Sequence, residues 1–249
     1  IKNNIYLGKV SRIEPSLQAA FIDFGRDRHG FLSFNDIQSD YYQIPKADLD
    51  KIKEEEEKAR EELSKQVEAK EEENIAEGKL EIDDPIEKEI ENHTEEKEIV
   101  DDKNNTEEEK EKKKENKFKF KRYKIQEVIK PNQVILVQVI KDERGQKGAA
   151  LSTFISIAGK YIVLMPNTPK GGGISRKIFN PADRKKIRTI LNEIEIPKEM
   201  GLIVRTAGSN KTKNEINNDL TTLIKTWIQI KNNAINSIAP SLIHQESEI

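Results

Sequence analysis

Residues 51–117 contain no aromatic residue, and 42 of these 67 positions are charged. A segment this polar cannot bury enough apolar surface to offset the entropy lost on ordering. It carries 27 acids and 15 bases, a net of −12, whereas the other 182 residues carry 18 acids and 28 bases, a net of +10. The overall charge of −2 therefore averages two unlike parts, and the foldable part is basic. We read 51–117 as a disordered, solvated insertion. The alternative is a long exposed helix, supported by i, i+4 pairs of opposite charge between Lys53 and Lys70. Its many Glu residues do not by themselves argue for a metal site.

The remaining chain is long enough for one or two small domains. Cysteine is absent, which excludes a disulfide scaffold, a Cys-ligated zinc site and a thiol nucleophile. His29, His93 and His244 are widely spaced. No apolar run approaches the roughly 20 residues of a membrane span, and no signal peptide is visible. The chain opens at Ile1 inside a strand-like run and reads as a piece of a longer protein with a cytosolic origin.

Residues 1–40 predict three short strands: Ile5 to Val10, Gln18 to Gly25 and His29 to Leu32, with a turn at Glu14-Pro15-Ser16. A helical turn is expected at Asn35 to Ile37. Beyond the insertion, Val134 to Ile140 predicts a buried strand, and Gly148 to Ile157 predicts another after a turn at Lys141 to Gly145. These five make a small, strongly curved barrel with the insertion in one of its loops.

The last third reads as α/β. Tyr161 to Met165 is a strand stopped by Pro166, and Ile174 to Ile178 is a return strand after the flexible Gly171-Gly172-Gly173. Asn180-Pro181 starts a helix whose apolar stripe is Ile187, Ile190, Leu191 and Ile194. Leu202 to Thr206 is a buried strand. Ile216, Leu220, Leu223, Ile224, Trp227 and Ile228 mark a second, longer helix, ended by Pro240.

Two signals point to function. Phe21, Phe24, Phe31 and Phe34 lie within 14 residues, interleaved with Lys9, Arg12, Arg26, Arg28 and His29. Exposed aromatics on a small basic barrel stack unpaired bases, at about 1–3 kcal/mol each, while the cations track phosphates. The competing reading places these rings in the barrel core. The run Lys117 to Lys124 adds a basic, aromatic edge, or else a strand guarded by Lys against aggregation.

The second signal is Arg205-Thr206 at the carboxyl end of a buried strand, before Ala207-Gly208. Guanidinium, hydroxyl and backbone N–H groups there form an anion cradle that Arg176 could complete. An ordinary ion pair with a Glu is the competing reading. Asp23 reads as a turn contact and His29 as a surface or turn histidine. No Walker loop, Gly-x-Ser-x-Gly or His-Glu-x-x-His occurs.

Several runs resemble the ribonuclease E/G family. They are Ile5 to Val10, Arg12 to Gly25, Arg28 to Leu32, Gly148 to Gly159, Tyr161 to Pro166, Gly172 to Arg176, Gly201 to Gly208 and Leu242 to Ser247, in the expected order. The resemblance covers nearly everything except residues 45–117. It implies an α+β architecture, with a five-stranded OB-fold β-barrel over 1–157 and a partial ribonuclease H-like and 5′-sensor α/β region over 158–249. It also implies an endoribonuclease acting on single-stranded, AU-rich RNA in rRNA and tRNA processing and mRNA decay. Gly159, Val163, Arg176, Arg205 and Thr206 would bind a 5′-monophosphate, and Phe21, Phe31 and Lys147 would contact the strand; Lys9 and Arg28, from the interleaved cations, are the further RNA contacts expected. Leu7 departs from the family's frequent Lys.

The resemblance also places Mg²⁺, bound by two aspartates, and a structural Zn²⁺ in a catalytic part of the parent protein. This chain has neither the Ile-Asp-Ile-Asn nor the Cys-Pro-x-Cys motif. It is expected to bind neither metal and to lack cleavage activity alone. The expected partners are single-stranded RNA, preferably 5′-monophosphorylated, further copies of the parent chain and proteins of RNA decay. Peripheral attachment of the parent protein to the inner membrane is a further expectation. The alternative is a stand-alone, non-catalytic binder of single-stranded RNA.

Overall fold

The structure, a computed structural model, describes residues 1–77, 123–168 and 172–246. The barrel consists of β1 (Ile5–Glu14), β2 (Ala19–Asp23), β3 (Gly30–Ser33), β4 (Val134–Lys141) and β5 (Ala150–Ser152). The strands run β1-β2-β3-β5-β4, and pairing of β1 with β4 closes the barrel. The β3–β5 pair is parallel and the other barrel pairs are antiparallel. This is the mixed five-stranded barrel of an OB fold within an α+β chain.

Alternation along the strands decides which rings are core. Ala20, Ile22 and Phe24 point inward from one segment, and Leu32 and Phe34 from the next, all at most 5 % exposed. Phe21 and Phe31 have the opposite parity and are half-buried on the outer face. The four Phe residues thus divide between the two readings of the cluster.

Strand direction fixes where the loops go. The β2–β3 connection (24–29) and the β4–β5 connection (142–149) meet at one end of the barrel, where the Arg28 guanidinium donates to Gly145 O. The insertion leaves from the other end. Order extends further into it than the sequence predicts, because α1 spans Lys46–Glu77. Leu49 and Ile52 pack its first turns on the barrel core. Lys53 pairs with Asp40, and the Tyr123 hydroxyl donates to Asp48 Oδ2 at 2.6 Å. From residue 46 to 77 there is no Gly or Pro, and Glu, Lys and Ala favour helix, with Lys58–Glu54 as one i, i+4 pair. Residues 51–77, expected to be disordered, are therefore helical. The rest of the insertion, His93 and the basic run up to residue 122 lie outside the described residues. A single turn, α2 (Ile125–Val128), leads back to β4, with the Ile125 N–H donating to the side chain of Gln18.

The predicted strand over 148–157 is two strands. After β5 the chain crosses to β6 (Ile157–Ala158), which opens a second sheet with β7 (Ile162–Met165), β8 (Gly172–Ile174) and β9 (Gly201–Val204). Its order is β6-β7-β9-β8. Two side-chain amides, the buried Gln138 and the half-buried Asn167, hold the crossing segment. Gln138 donates to Asn3 O and Ser156 O and accepts from the Ser156 N–H. Asn167 donates to Thr153 O and accepts from the Ile155 N–H.

The predicted return strand over 174–178 is short for a similar reason. Ser175–Ile178 is a turn, pinned by the buried Arg184, which donates to Ser175 O and Ile178 O. Helices α3 (Pro181–Glu193) and α4 (Lys213–Ile235) cover the sheet. Asn180 caps α3 as predicted, and Thr212 with Glu215 forms a capping box on α4. Helix α4 ends at Ile235, five residues before Pro240.

Strand β1 belongs to both cores. Tyr6 and Val10 pack in the barrel, whereas Ile5 and Leu7 pack with the second sheet and its helices. The final strand, β10 (Ser241–His244), then pairs with β1, bringing residues near the two ends of the sequence together. No helix among the described residues is long and apolar enough to cross a membrane.

Candidate functional site

On the barrel's outer face Phe21 and Phe31 are directly opposite each other on β2 and β3. Their rings meet edge to face, with centroids 6.0 Å apart. The Arg12 guanidinium lies 4.4 Å from the centroid of Phe21, a cation–π contact. A shallow groove of about 400 Å³ opens beside them, lined by Arg12, Phe21, Arg28, His29, Gln146 and Gly148. Gly148 is required there, since a Cβ would lie 2.2 Å from the backbone oxygen of His29. Lys147 is exposed in the hairpin turn between Gln146 and Gly148. Lys9 is opposite Asp23 in the ladder and does not line the groove.

The groove therefore offers a π surface, two guanidinium groups and a carboxamide on a convex, solvated face. That set suits an unpaired base with its phosphates. Gln146 carried no sequence signal, because a lone Gln in a turn is unremarkable. Asp23 Oδ1 accepts from the Gly25 N–H at 3.1 Å, the turn contact expected of it.

The second site lies where β8 and β9 end. These strands are parallel, with Ile174 beside Val204, so Arg176 and Arg205-Thr206 leave the sheet together at the same edge. Among the described residues Arg205 makes no ion pair with a Glu. Its Nη1 donates to Gly159 O at 2.6 Å, and its backbone N–H donates to Tyr161 O at 2.8 Å. Gly159, Arg205 and Thr206 are thus brought together. Val163 is half-buried within β7, paired with Ala158 and Ile203. The Gly159 N–H donates to Ile162 O at 2.7 Å, so this glycine presents its carbonyl to the site while its amide is occupied.

Two further side chains shape this edge. Lys211 Nζ lies 5.0 Å from the centroid of the Tyr161 ring. Asp219, on α4, accepts from the backbone N–H groups of Lys160, Tyr161 and Ile162. Nothing local marks Asp219 in the sequence, where it is one acid between Ile216 and Leu220 on the longer helix. Among the described residues, no group of three or more His, Cys, Asp or Glu is arranged to hold a metal.

Residues 156–249 match the model of the Ribonuclease E/G family. Ribonuclease E of Escherichia coli is 36% identical over 248 residues, covering 100% of this chain and 17% of that protein. Ribonuclease E of Haemophilus influenzae is 34% identical over 248 residues, covering 100% of this chain and 19% of that protein. Ribonuclease G of Escherichia coli is 26% identical over 230 residues, 92% of this chain and 33% of that protein. The chain thus spans under a fifth of the two ribonuclease E relatives. The family match falls on the sheet that carries Gly159 and Arg205, and the alignments extend across the barrel. This chain belongs to the ribonuclease E/G family.

Proposed function

We propose that this chain is the RNA-binding and 5′-monophosphate-sensing part of an endoribonuclease that cleaves single-stranded RNA in rRNA and tRNA processing and mRNA decay. The observation that carries the reading is the outward-facing Phe21–Phe31 pair beneath Arg12, beside a groove lined with cations. Two unpaired bases could stack on these rings while Arg28 and Lys147 meet the backbone phosphates. Arg205 and Thr206, with Arg176 at the same sheet edge, offer charge-assisted donors to a terminal phosphate. Cleavage is assigned to the rest of the parent protein, where the family resemblance puts Mg²⁺ and the zinc link between protomers.

The test compares two versions of one single-stranded oligoribonucleotide, 5′-monophosphorylated and 5′-hydroxyl, by fluorescence anisotropy. Tighter binding of the monophosphate, by about tenfold or more, is expected from one or two additional charge-assisted hydrogen bonds. Equal affinity for the two RNAs would overturn the sensing half of the reading. Failure to bind either would overturn both halves.

The insertion gives a separate expectation. Residues 78–117 hold 16 acids and 9 bases, and α1 leads toward them from the barrel end remote from Arg28 and Lys147. Deleting 78–117 is expected to raise RNA affinity only about two- to threefold at low ionic strength and not at all at high salt, where such charges are screened. A large gain persisting at high salt would mean that the segment occupies the RNA face directly.

A further inference from the structure

Asp219 makes three hydrogen bonds to one turn. Its carboxylate oxygens accept from the N–H groups of Lys160 at 3.3 Å, Tyr161 at 2.9 Å and Ile162 at 3.2 Å. Successive backbone donors in this arrangement form a concave nest that would itself suit a phosphate oxygen. Here the protein's own carboxylate fills it. A phosphate arriving at this edge must therefore be met by Arg205 and Thr206, not by the amides of residues 160–162.

The same turn holds Arg205. It supplies Tyr161 O to the backbone N–H of Arg205 and Gly159 O to its guanidinium. Asp219 also approaches Gly159 closely enough to dictate that residue. A Cβ at position 159 would lie 2.6 and 2.8 Å from the two carboxylate oxygens. Two residues sixty positions apart thus specify each other.

We infer that Asp219 is a positioning residue of the phosphate cradle: it fixes the 159–162 turn so that Gly159 O holds one nitrogen of Arg205 and leaves the remaining donors aimed at the ligand. A guanidinium is a planar fork of five N–H donors, so restraining one edge orients the rest. The inference rests on the 5′-sensing reading above and adds to it a residue that does not touch the phosphate.

The test uses D219A, D219N, G159A and the G159A/D219A double variant in the whole chain. The readout is the ratio of affinities for the monophosphorylated and hydroxyl oligoribonucleotides, which cancels losses common to both. D219A is expected to reduce the ratio at least fivefold and to leave 5′-hydroxyl binding within twofold. D219N, whose side-chain oxygen still accepts hydrogen bonds, should retain most of the ratio. G159A should resemble D219A, and the double variant should be no worse than either single one, because both lose the same contact. An unchanged ratio in D219A, an equal loss for both RNAs, or additive effects of the two substitutions would overturn the inference.

Nitrogen-15 NMR of the Arg205 guanidinium separates this from failure of the sensing reading. If the unaltered chain shows no preference for the monophosphate, that reading fails by itself. Restricted guanidinium rotation that is lost in D219A would still support positioning, and rotation unchanged by D219A would overturn it.

Discussion

Truncating Phe24 to alanine is expected to lower folding stability by about 3–5 kcal/mol, the usual cost of removing a fully buried ring. Phe24 is 1 % exposed and meets Tyr6 edge to face at 5.1 Å, so nothing can collapse into the space without disturbing both strands. Phe21→Ala, three residues earlier, should give the opposite pattern. It removes a surface ring pair and one cation–π contact, together about 1 kcal/mol of stability. It also removes a stacking platform, so single-stranded RNA binding should weaken by about 1–3 kcal/mol, roughly five- to 150-fold. Chemical denaturation and RNA titration of the two variants check both halves. A Phe21→Ala variant that unfolds like Phe24→Ala, or binds RNA normally, would contradict the assignment of the outer face.

Arg205→Ala is expected to abolish the preference for a 5′-monophosphate while leaving 5′-hydroxyl RNA binding unchanged. Hydrogen bonds to a charged group contribute about 1.5–3 kcal/mol each, so a tenfold or larger loss on the monophosphorylated RNA follows. Arg205→Lys should fall between the two. It keeps the charge but cannot hold Gly159 O and a phosphate with one rigid fork. The measurement is the same pair of titrations, with thermal melting to confirm folding. A preference that survives Arg205→Ala would remove this arginine from the cradle.

Much of the architecture was legible because alternation and spacing are local. Val134 to Ile140 and the stripe from Ile216 to Trp227 each announce their element, and Asn180-Pro181 announces a helix start. The division of the four Phe residues follows the same alternation, positions 20, 22 and 24 sharing one parity and position 21 the other, but the residues alone left both readings open. The interrupted strand over 148–157 was not, because residues 153–156 are held by Gln138 and Asn167 from distant segments. The helical start of the insertion was masked by composition. Its anchors are Leu49 and Ile52, two apolar residues at the edge of a long charged run. At the second site the donors Arg205 and Thr206 stood out locally. Asp219 did not, since its partners are backbone amides some sixty residues away and only the fold brings them together.

The double duty of β1 has a consequence for assembly. During synthesis its partner β10 follows more than two hundred residues after it. Pairing of such remote segments is slow, because a long loop must close before any contact rewards it. The first half of β1 pairs on one side with β4 and on the other with β10, and it supplies Ile5 and Leu7 to a core whose helices are made long after it. The barrel and the second sheet therefore cannot mature as separate beads on a string. Their completion waits on the same late pairing, and the charged excursion lies inside the loop that must close, where each doubling of loop length costs only about 0.6 kcal/mol.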